Sequence, residues 1–208
     1  MLRRIALKMP MAFAVLWALA LPARAEVAPD AFVRQVSTDV LDAVKADKAI
    51  QSGDLSRIRS LVDGKVMPHV NFPRMASASV GPQWRGATPE QQKRLTEEFK
   101  ILLVNTYSGA LTQVKDQSIF LKPLRGAATD AEVVVRTEVR GKGEPIQLDY
   151  RLERAGEGWK IYDVNIGGFW LVDAYRGQFS KDLSAGGLDA LIARLSEKNK
   201  AASAPAKS

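Results

Sequence analysis

Residues 71–107 read NFPRMASASVGPQWRGATPEQQKRLTEEFKILLVNTY, and they join a helix start to a wide apolar face. Thr88, Pro89 and Gln91 form a capping-box pattern: a hydroxyl for an orphan amide, a proline preset for the first helical position, and a glutamine that can reach back. Apolar residues then recur at the spacing of one helix face, at Leu95, Phe99, Leu102, Leu103, Tyr107, Ala110, Leu111 and Val114. The pattern predicts a helix from about Pro89 to about Val114.

The segment before this helix carries large apolar side chains among proline, glycine and serine residues, which is unusual for a loop. These side chains are Phe72, Met75, Val80 and Trp84. Groups of this size need an apolar surface to cover. We therefore expect Phe72, Met75 and Trp84 near the rim of any cavity that the helix face encloses.

Two blocks of the sequence resemble the MlaC family, the periplasmic phospholipid-binding proteins also called the toluene-tolerance family. The first block is the one above, with its Phe-containing turn, a Gly and a Trp-Arg pair, the Thr-Pro-Glu-Gln helix start and a Thr-Tyr pair. The second block is VNIGGFWLVDAYRGQF (residues 164–179), followed by GLDALI (residues 187–192). The sequence departs from the family pattern at Asn71, where Asp is expected, and at Phe169 and Trp170, where smaller residues are usual.

Residues 1–25 have the composition of a secretory signal peptide. Basic residues precede an apolar run at residues 11–21, and the small-x-small cleavage pattern Ala23-Arg24-Ala25 follows it. The run is about half of the ~20 residues that a membrane-spanning helix needs. We therefore expect cleavage after Ala25 and a soluble protein of the periplasm that starts at Glu26.

The basic composition is partly a property of this signal peptide. Residues 1–25 hold four of the 30 Lys and Arg residues and none of the 23 Asp and Glu residues, so the formal net charge of +7 falls by four on cleavage. No Lys/Arg cluster of the kind that binds nucleic acid is present. The sequence has no cysteine, which excludes disulfides, cysteine nucleophiles, thiolate metal sites and a lipidated cysteine. We expect neither a cofactor nor a metal.

The order of periodic segments predicts the fold class. Helical patterns come first, alternating patterns occupy residues 119–166, and helical patterns resume at Leu171. This order predicts an α+β fold in which a curved antiparallel sheet of about four strands is covered by several helices, the long helix being the natural cover. The family resemblance implies a nuclear-transport-factor-like cone with an apolar cavity.

No low-complexity linker divides the chain after the signal peptide. We expect a single lipid-binding domain over residues 26–198. The last residues, 199–208, lack an apolar period and are expected to form a disordered tail.

The apolar faces of the helices and strands could form a packed core or the wall of a ligand pocket, and spacing alone favours a core. The resemblance implies the pocket, which holds lipid acyl chains and leaves the headgroup near solvent. The expected lipid-binding residues are Phe72, Met75, Val80, Trp84, Phe99, Leu102, Leu103, Tyr107, Val133, Val135, Leu148, Tyr150, Ile161, Val164 and Ile166. The headgroup, the number of chains and the direction of transport stay open.

The resemblance also implies partners for such a carrier. These are an outer-membrane lipoprotein complex and an inner-membrane ABC transporter with its membrane-attached lipid-binding subunit. A pure envelope adaptor is an alternative, in which exposed Arg85 and Arg176 would dock partners. Each of these residues sits beside an aromatic residue, so we expect stacking or a salt bridge within the fold instead.

Cone folds also house small isomerases and dehydratases that use an Asp or a His-Asp pair inside the cavity. His69 is the only histidine, so we expect it in a surface turn without a metal or catalytic role. Asp149 should lie on the charged face of its strand, because Leu148 and Tyr150 would point inward. No phosphate loop, serine elbow or paired-His motif is present. We therefore expect no catalytic residue.

Asp163 is the one carboxylate that could serve an enzyme. The apolar parity of its strand changes between Ile161 and Val164, which predicts a bulge near Tyr162 and Asp163. An Asp163 turned toward an apolar cleft would have a raised pKa and could act as a base. An Asp163 that pairs with an arginine or caps the bulge would instead have a structural role. We expect the structural role.

Overall fold

The computed structural model of the protein describes residues 27–125, 130–156 and 158–203. The predicted signal peptide lies outside these residues. The helices are α1 (Pro29–Ala46), α2 (Lys48–Gln51), α3 (Leu55–Leu61), α4 (Phe72–Val80), α5 (Pro89–Thr112) and α6 (Leu171–Ser203). The strands are β1 (Ser118–Leu121), β2 (Glu132–Val135), β3 (Thr137–Arg140), β4 (Ile146–Ala155), β5 (Gly158–Ile166) and β6 (Phe169–Trp170). None of the helices within the described ranges has the length and apolarity needed to cross a membrane.

The strands form one antiparallel sheet in the order β1-β3-β4-β5-β6. Strand β2 also pairs with β4, on the same edge as β3 and next to it along the strand. The ladder is interrupted between β2 and β3, where the Asp149 carboxylate accepts the backbone N–H of Thr137 at 3.0 Å. The predicted α+β fold is therefore confirmed. The predicted number of strands is wrong: the described residues contain six, because this interruption divides one predicted strand and the two-residue β6 carries no periodic signal.

A β-bulge in β5 decides which side chains share a face of the sheet. The ladder pairs Arg151 with Asp163 and Leu152 with Ile161, which leaves Tyr162 as the extra residue. The predicted bulge is thus confirmed. We call the apolar side of the sheet the inner face; it carries Val133, Val135, Leu148, Tyr150, Leu152, Ile161, Val164 and Ile166. The opposite, outer face carries Arg151 and Asp163.

A tight hairpin joins β5 to β6. Gly167 and Gly168 both have positive φ angles, 60° and 96°, as a two-residue type I′ turn requires. The turn pairs Ile166 with Phe169, so the two side chains lie on the inner face. Trp170 pairs with Asn165 and lies on the outer face.

Residues 72–80, whose large apolar side chains are unusual for a loop, form helix α4. Asn71 caps it, since its side-chain oxygen accepts the N–H of Arg74 at 3.1 Å, and Gly81 ends it with a φ of 63°. The buried residues follow the spacing of one helix face: Phe72, Met75, Ala76, Ser79 and Val80. The proline and glycine residues in and after this segment obscure its helical spacing in the sequence.

Helix α5 starts with the predicted capping box. Thr88 Oγ1 accepts the N–H of Gln91 at 3.2 Å, and the Gln91 side-chain oxygen accepts the N–H of Thr88 at 3.0 Å. The helix ends at Thr112, two residues before the predicted end.

The prediction that α5 covers the sheet is wrong. Its buried Phe99 packs against other helices instead, with ring centroids 4.9 Å from Tyr175 and 5.2 Å from Phe179 of α6. The inner face of the sheet packs against Val33 of α1, and α4 and α6 lie beside β5. Helical spacing shows that a face is buried but not which neighbour buries it.

Helix α6 bends at Gly186 and Gly187 and continues to Ser203. Asn199 is buried, and its amide donates to the carbonyl oxygen of Glu98 at 2.8 Å. The predicted tail therefore begins too early, because a polar residue docks the last turns of α6 on α5. Residues 204–208 lie outside the described part of the chain.

We predict that Thr88→Ala lowers the free energy of unfolding by about 1 kcal/mol, because the N–H of Gln91 loses its acceptor at the start of α5. Chemical denaturation followed by circular dichroism measures the change. Thr88→Ser keeps the hydroxyl and should retain most of the stability. Equal losses for both variants would contradict the capping role.

Candidate functional site

Two apolar clusters meet between the helices and the sheet. The helical core includes Phe72, Met75, Leu95, Phe99 and, from α6, Tyr175 and Phe179. The sheet core consists of Val33, Val133, Val135, Tyr150, Leu152, Trp159 and Ile161. Val70 and Val164 pack against both clusters. They therefore mark the junction between the two cores, which is the candidate site.

The structure divides the predicted lipid-binding residues into two groups. Nine of them are buried: Phe72, Met75, Val80, Phe99, Leu102, Val133, Val135, Tyr150 and Ile161. Six are half-buried: Trp84, Leu103, Tyr107, Leu148, Val164 and Ile166. The predicted rim position is wrong for Phe72 and Met75, which are 5% and 3% exposed inside the helical core.

Five half-buried residues pack against one or both cores, and we call them the apolar seam: Leu103, Tyr107, Leu148, Val164 and Ile166. Leu103 and Tyr107 are one helical turn apart on α5, and the other three lie on the inner face of β4 and β5. Each packs against at least one core, yet part of each stays exposed to solvent.

Exposure rises steadily along the inner face of β4. Leu152 is fully buried and Tyr150 is 8% exposed, whereas Leu148 is half-buried and Ile146 is 54% exposed. Alternate residues of one strand share a face, so this series samples one surface from a closed end to an open end.

The neighbouring elements show the same change. Ile161 of β5 is buried, Val164 and Ile166 are half-buried, and Phe169 across the hairpin is 74% exposed. On α5, Leu95 is buried whereas Tyr107 is half-buried. We call the open end, marked by Ile146, Leu148, Ile166 and Phe169, the mouth.

Two phenol hydroxyls, those of Tyr150 and Tyr175, lie at the edges of the two cores. Tyr150 shares a hydrogen bond of 3.2 Å with Ser37 of α1, and burial raises the pKa of Tyr150 to about 12. Burial also raises the pKa of Tyr175, whose hydroxyl lies near Thr106 and Tyr107. These phenols are therefore neutral at physiological pH and add no charge to the apolar surroundings.

Asp163 lies on the outer face, away from the seam. It is fully buried, and Arg151 donates to its Oδ2 at 2.7 Å. Its Oδ1 accepts the backbone N–H of Val164 at 2.9 Å and of Val172, at the start of α6, at 3.0 Å. Burial raises the pKa of Asp163, while the two backbone donors and Arg151 oppose this. The interpretation as a base facing an apolar cleft is wrong, and the structural alternative is confirmed.

A second group of charges ties α4 to the outer face. Arg74 donates to Glu153 and, at 2.6 Å, to Glu132, and its guanidinium lies 3.7 Å from the ring centroid of Tyr162. Asn71 donates to the same Glu153 at 2.5 Å. The bulged residue Tyr162 is therefore held in place by Arg74 of α4 and by Glu132, which accepts a hydrogen bond from its hydroxyl at 2.8 Å.

Asp149 and His69 also have structural surroundings. Asp149 is buried on the outer face, where it accepts hydrogen bonds from Thr137 and Gln147. His69 lies in a 3₁₀ turn with its ring edge-on to Phe32, and burial, followed by Lys160, lowers its pKa.

Arg176 donates to the carbonyl oxygen of Ala78 at 2.8 and 3.0 Å and to Asp173 at 3.3 Å. A salt bridge within the fold is thus confirmed for Arg176. Arg85 is exposed, and no ion pair joins it to another residue in the described ranges.

Two pockets with charged residues in their lining lie elsewhere on the surface. One of ≈ 230 Å³ lies between α3 and α5 and is lined by Arg59, Asp63, Glu97, Lys100, Ile101 and Val104. Another of ≈ 340 Å³ lies on the outer face and is lined by Arg125, Glu132, Val133, Val134, Arg136, Arg151 and Tyr162. Neither coincides with the apolar seam, which is the apolar site that the exposure series identifies.

Comparison with known proteins gives concordant results. The model of the MlaC protein family matches residues 34–197. A phospholipid-binding protein from Ralstonia solanacearum, solved in complex with a phospholipid, superimposes with a TM-score of 0.83 at 41% identity, covering 86% of this chain and 100% of that one.

Two curated relatives are more distant in sequence. The toluene tolerance protein Ttg2D of Pseudomonas putida is 27% identical over 163 residues, or 77% of this chain and 75% of the relative. The intermembrane phospholipid transport system binding protein MlaC of Haemophilus influenzae is 22% identical over 177 residues, or 83% of each chain.

We predict that Asp163→Asn lowers the free energy of unfolding by about 2 kcal/mol. The amide oxygen can keep both backbone donors, but the amide nitrogen would face the Arg151 donor and leave it without an acceptor. Asp173→Asn is the matched control, because Asp173 lies 3.7 Å from the same arginine but is 53% exposed. Its expected loss is below about 0.5 kcal/mol. Urea denaturation measures both losses. Similar losses for the two variants would contradict the role of Asp163 as the acceptor that Arg151 requires.

Proposed function

Because the chain belongs to the MlaC family, we propose that it is a soluble periplasmic carrier that holds the acyl chains of a phospholipid at the apolar seam. The observation that carries this proposal is the exposure series of the inner face, which runs from a closed apolar end at Leu152 to an open mouth at Ile146. The solved relative of 41% identity, bound to a phospholipid, supports the same ligand class.

The half-buried residues are the ones we assign to direct lipid contact. They have apolar surface that neither core covers, and they come from both α5 and the sheet. The nine buried residues of the predicted set are already packed within the two cores and would form the layer behind the lipid. The acyl chains would then enter at the mouth and leave the headgroup outside.

The energetics of lipid transfer favour a carrier without a reactive group. At about 0.8 kcal/mol per buried methylene, exposing two acyl chains to water costs on the order of 20 kcal/mol. An apolar wall that replaces the membrane interior removes most of this cost through contact alone. The aliphatic and aromatic composition of the seam matches this requirement.

We further propose that the carrier moves lipid between the outer and the inner membrane. Its partners would be an outer-membrane lipoprotein complex and an inner-membrane ABC transporter with a membrane-attached lipid-binding subunit. The name of the Haemophilus influenzae relative, an intermembrane phospholipid transport system binding protein, supports this assignment.

An enzyme that uses Asp163 is a weaker alternative, because the carboxylate lies on the outer face with three donors already bound. The carrier predicts that Asp163→Asn copurifies with the same amount of phospholipid as the unsubstituted protein. Lipid extraction and mass spectrometry measure this amount. A folded variant that loses its lipid would show that Asp163 is part of the binding site.

We predict that Val164→Glu lowers the phospholipid content of the purified protein at least tenfold, because a carboxylate at the seam disfavours apolar contact. Val134→Glu is the matched control: Val134 is also half-buried on a strand, but it pairs with Arg151 and faces outward. Lipid extraction from protein purified from its native periplasm gives the content.

Circular dichroism shows whether each variant folds, and Leu148→Glu replaces Val164→Glu if the latter does not. Equal lipid content in the seam and control variants would contradict the assigned site. An unsubstituted protein without lipid would contradict the carrier and favour the adaptor.

A further inference from the structure

Four large apolar residues in the described part of the chain are exposed: Val27, Phe120, Ile146 and Phe169, with Phe169 the most exposed at 74%. Phe120 is covered on one face by the Arg140 guanidinium, 4.3 Å from its ring centroid. Ile146 and Phe169 both lie at the mouth. An exposed aromatic ring that borders a half-buried apolar surface is a candidate for contact with whatever occupies that surface.

The position of Phe169 is fixed by its neighbours along the chain. The Gly167–Gly168 turn holds it opposite Ile166. The next residue, Trp170, stacks on the outer face against the Arg151 guanidinium, 4.0 Å from the ring centroid. Because Trp170 is anchored on the outer face, the alternation of side chains directs Phe169 to the inner face.

Phe169 extends the seam by one strand. Leu148 pairs with Ile166 on β5, and Ile166 pairs with Phe169 on β6, so the three side chains form a row across adjacent strands. Neighbouring strands lie about 4.8 Å apart, which places Phe169 about 10 Å from Leu148. The row runs from half-buried Leu148 and Ile166 to exposed Phe169, at the boundary between apolar wall and water.

We propose that Phe169 is a rim residue that covers the acyl-chain methylenes nearest the headgroup and thereby sets the rate at which the protein releases its lipid. This inference rests on the carrier function proposed above. The ring would turn its exposed face toward the lipid rather than toward solvent. Loss of the ring would expose one or two methylenes, which corresponds to about a tenfold faster release.

The test measures lipid release directly. Purified protein is loaded with a fluorescent phospholipid and mixed with phosphatidylcholine vesicles, whose neutral surface removes charge attraction to the protein. We expect Phe169→Ala to release lipid about tenfold faster than the unsubstituted protein, and Phe169→Trp to release it at close to the original rate. Phe120→Ala is the control, because Phe120 is also an exposed phenylalanine but pairs with Glu138, which pairs with Gln147, and so lies on the outer face of the sheet. This variant should leave the rate unchanged.

Two further readings separate the possible outcomes. The accelerated rate of Phe169→Ala should not depend on vesicle concentration; a dependence would assign Phe169 to vesicle docking and overturn the proposal. An unchanged or slower rate in folded Phe169→Ala would also overturn it, while leaving the carrier function intact. Failure of the unsubstituted protein to hold phospholipid would overturn both. Thermal unfolding identifies any variant that has lost its fold.

Discussion

The buried Asp163 carboxylate is the interaction on which the arrangement of the sheet and helices depends. It holds Arg151 of β4, the backbone just after the bulge in β5, and the first turn of α6 through one pair of oxygens. A buried carboxylate of this kind is stable only when it is paired with a cation and hydrogen-bonded, and its raised pKa reflects the remaining cost of burial. The carboxylate therefore orients three elements at once.

The bulge beside Asp163 explains why the inner face is apolar over its whole length. A regular strand with alternating side chains would place Ile161 on one face and Val164 and Ile166 on the other. The extra residue Tyr162 restores the alternation, so that all three share the inner face. Arg74 and Glu132 hold Tyr162 on the outer side. Charged contacts on one face of the sheet thus maintain the apolar surface on the other.

The two faces suit different parts of the proposed carrier function. On the outer face, charge-assisted hydrogen bonds have defined directions, and they fix α4 and α6 against the sheet. On the inner face, contact is non-directional, so a lipid could bind and leave without breaking a specific bond. A carrier needs both properties, because its frame must persist through repeated loading while its ligand must exchange.

Local signals determined much of this protein from its sequence alone. The capping box of α5, the alternating strands, the parity change at the bulge and the family resemblance are all patterns among residues close in the chain. Tertiary structure decided which surfaces meet: that Phe99 faces α6 rather than the sheet, that Asn199 docks on α5, and that Asp163 points away from the seam. The physical reason is that periodicity records whether a face is buried, whereas its partner depends on long-range packing. The half-buried seam is likewise a property of that packing, because the same sequence pattern would be found if these apolar residues formed a closed core.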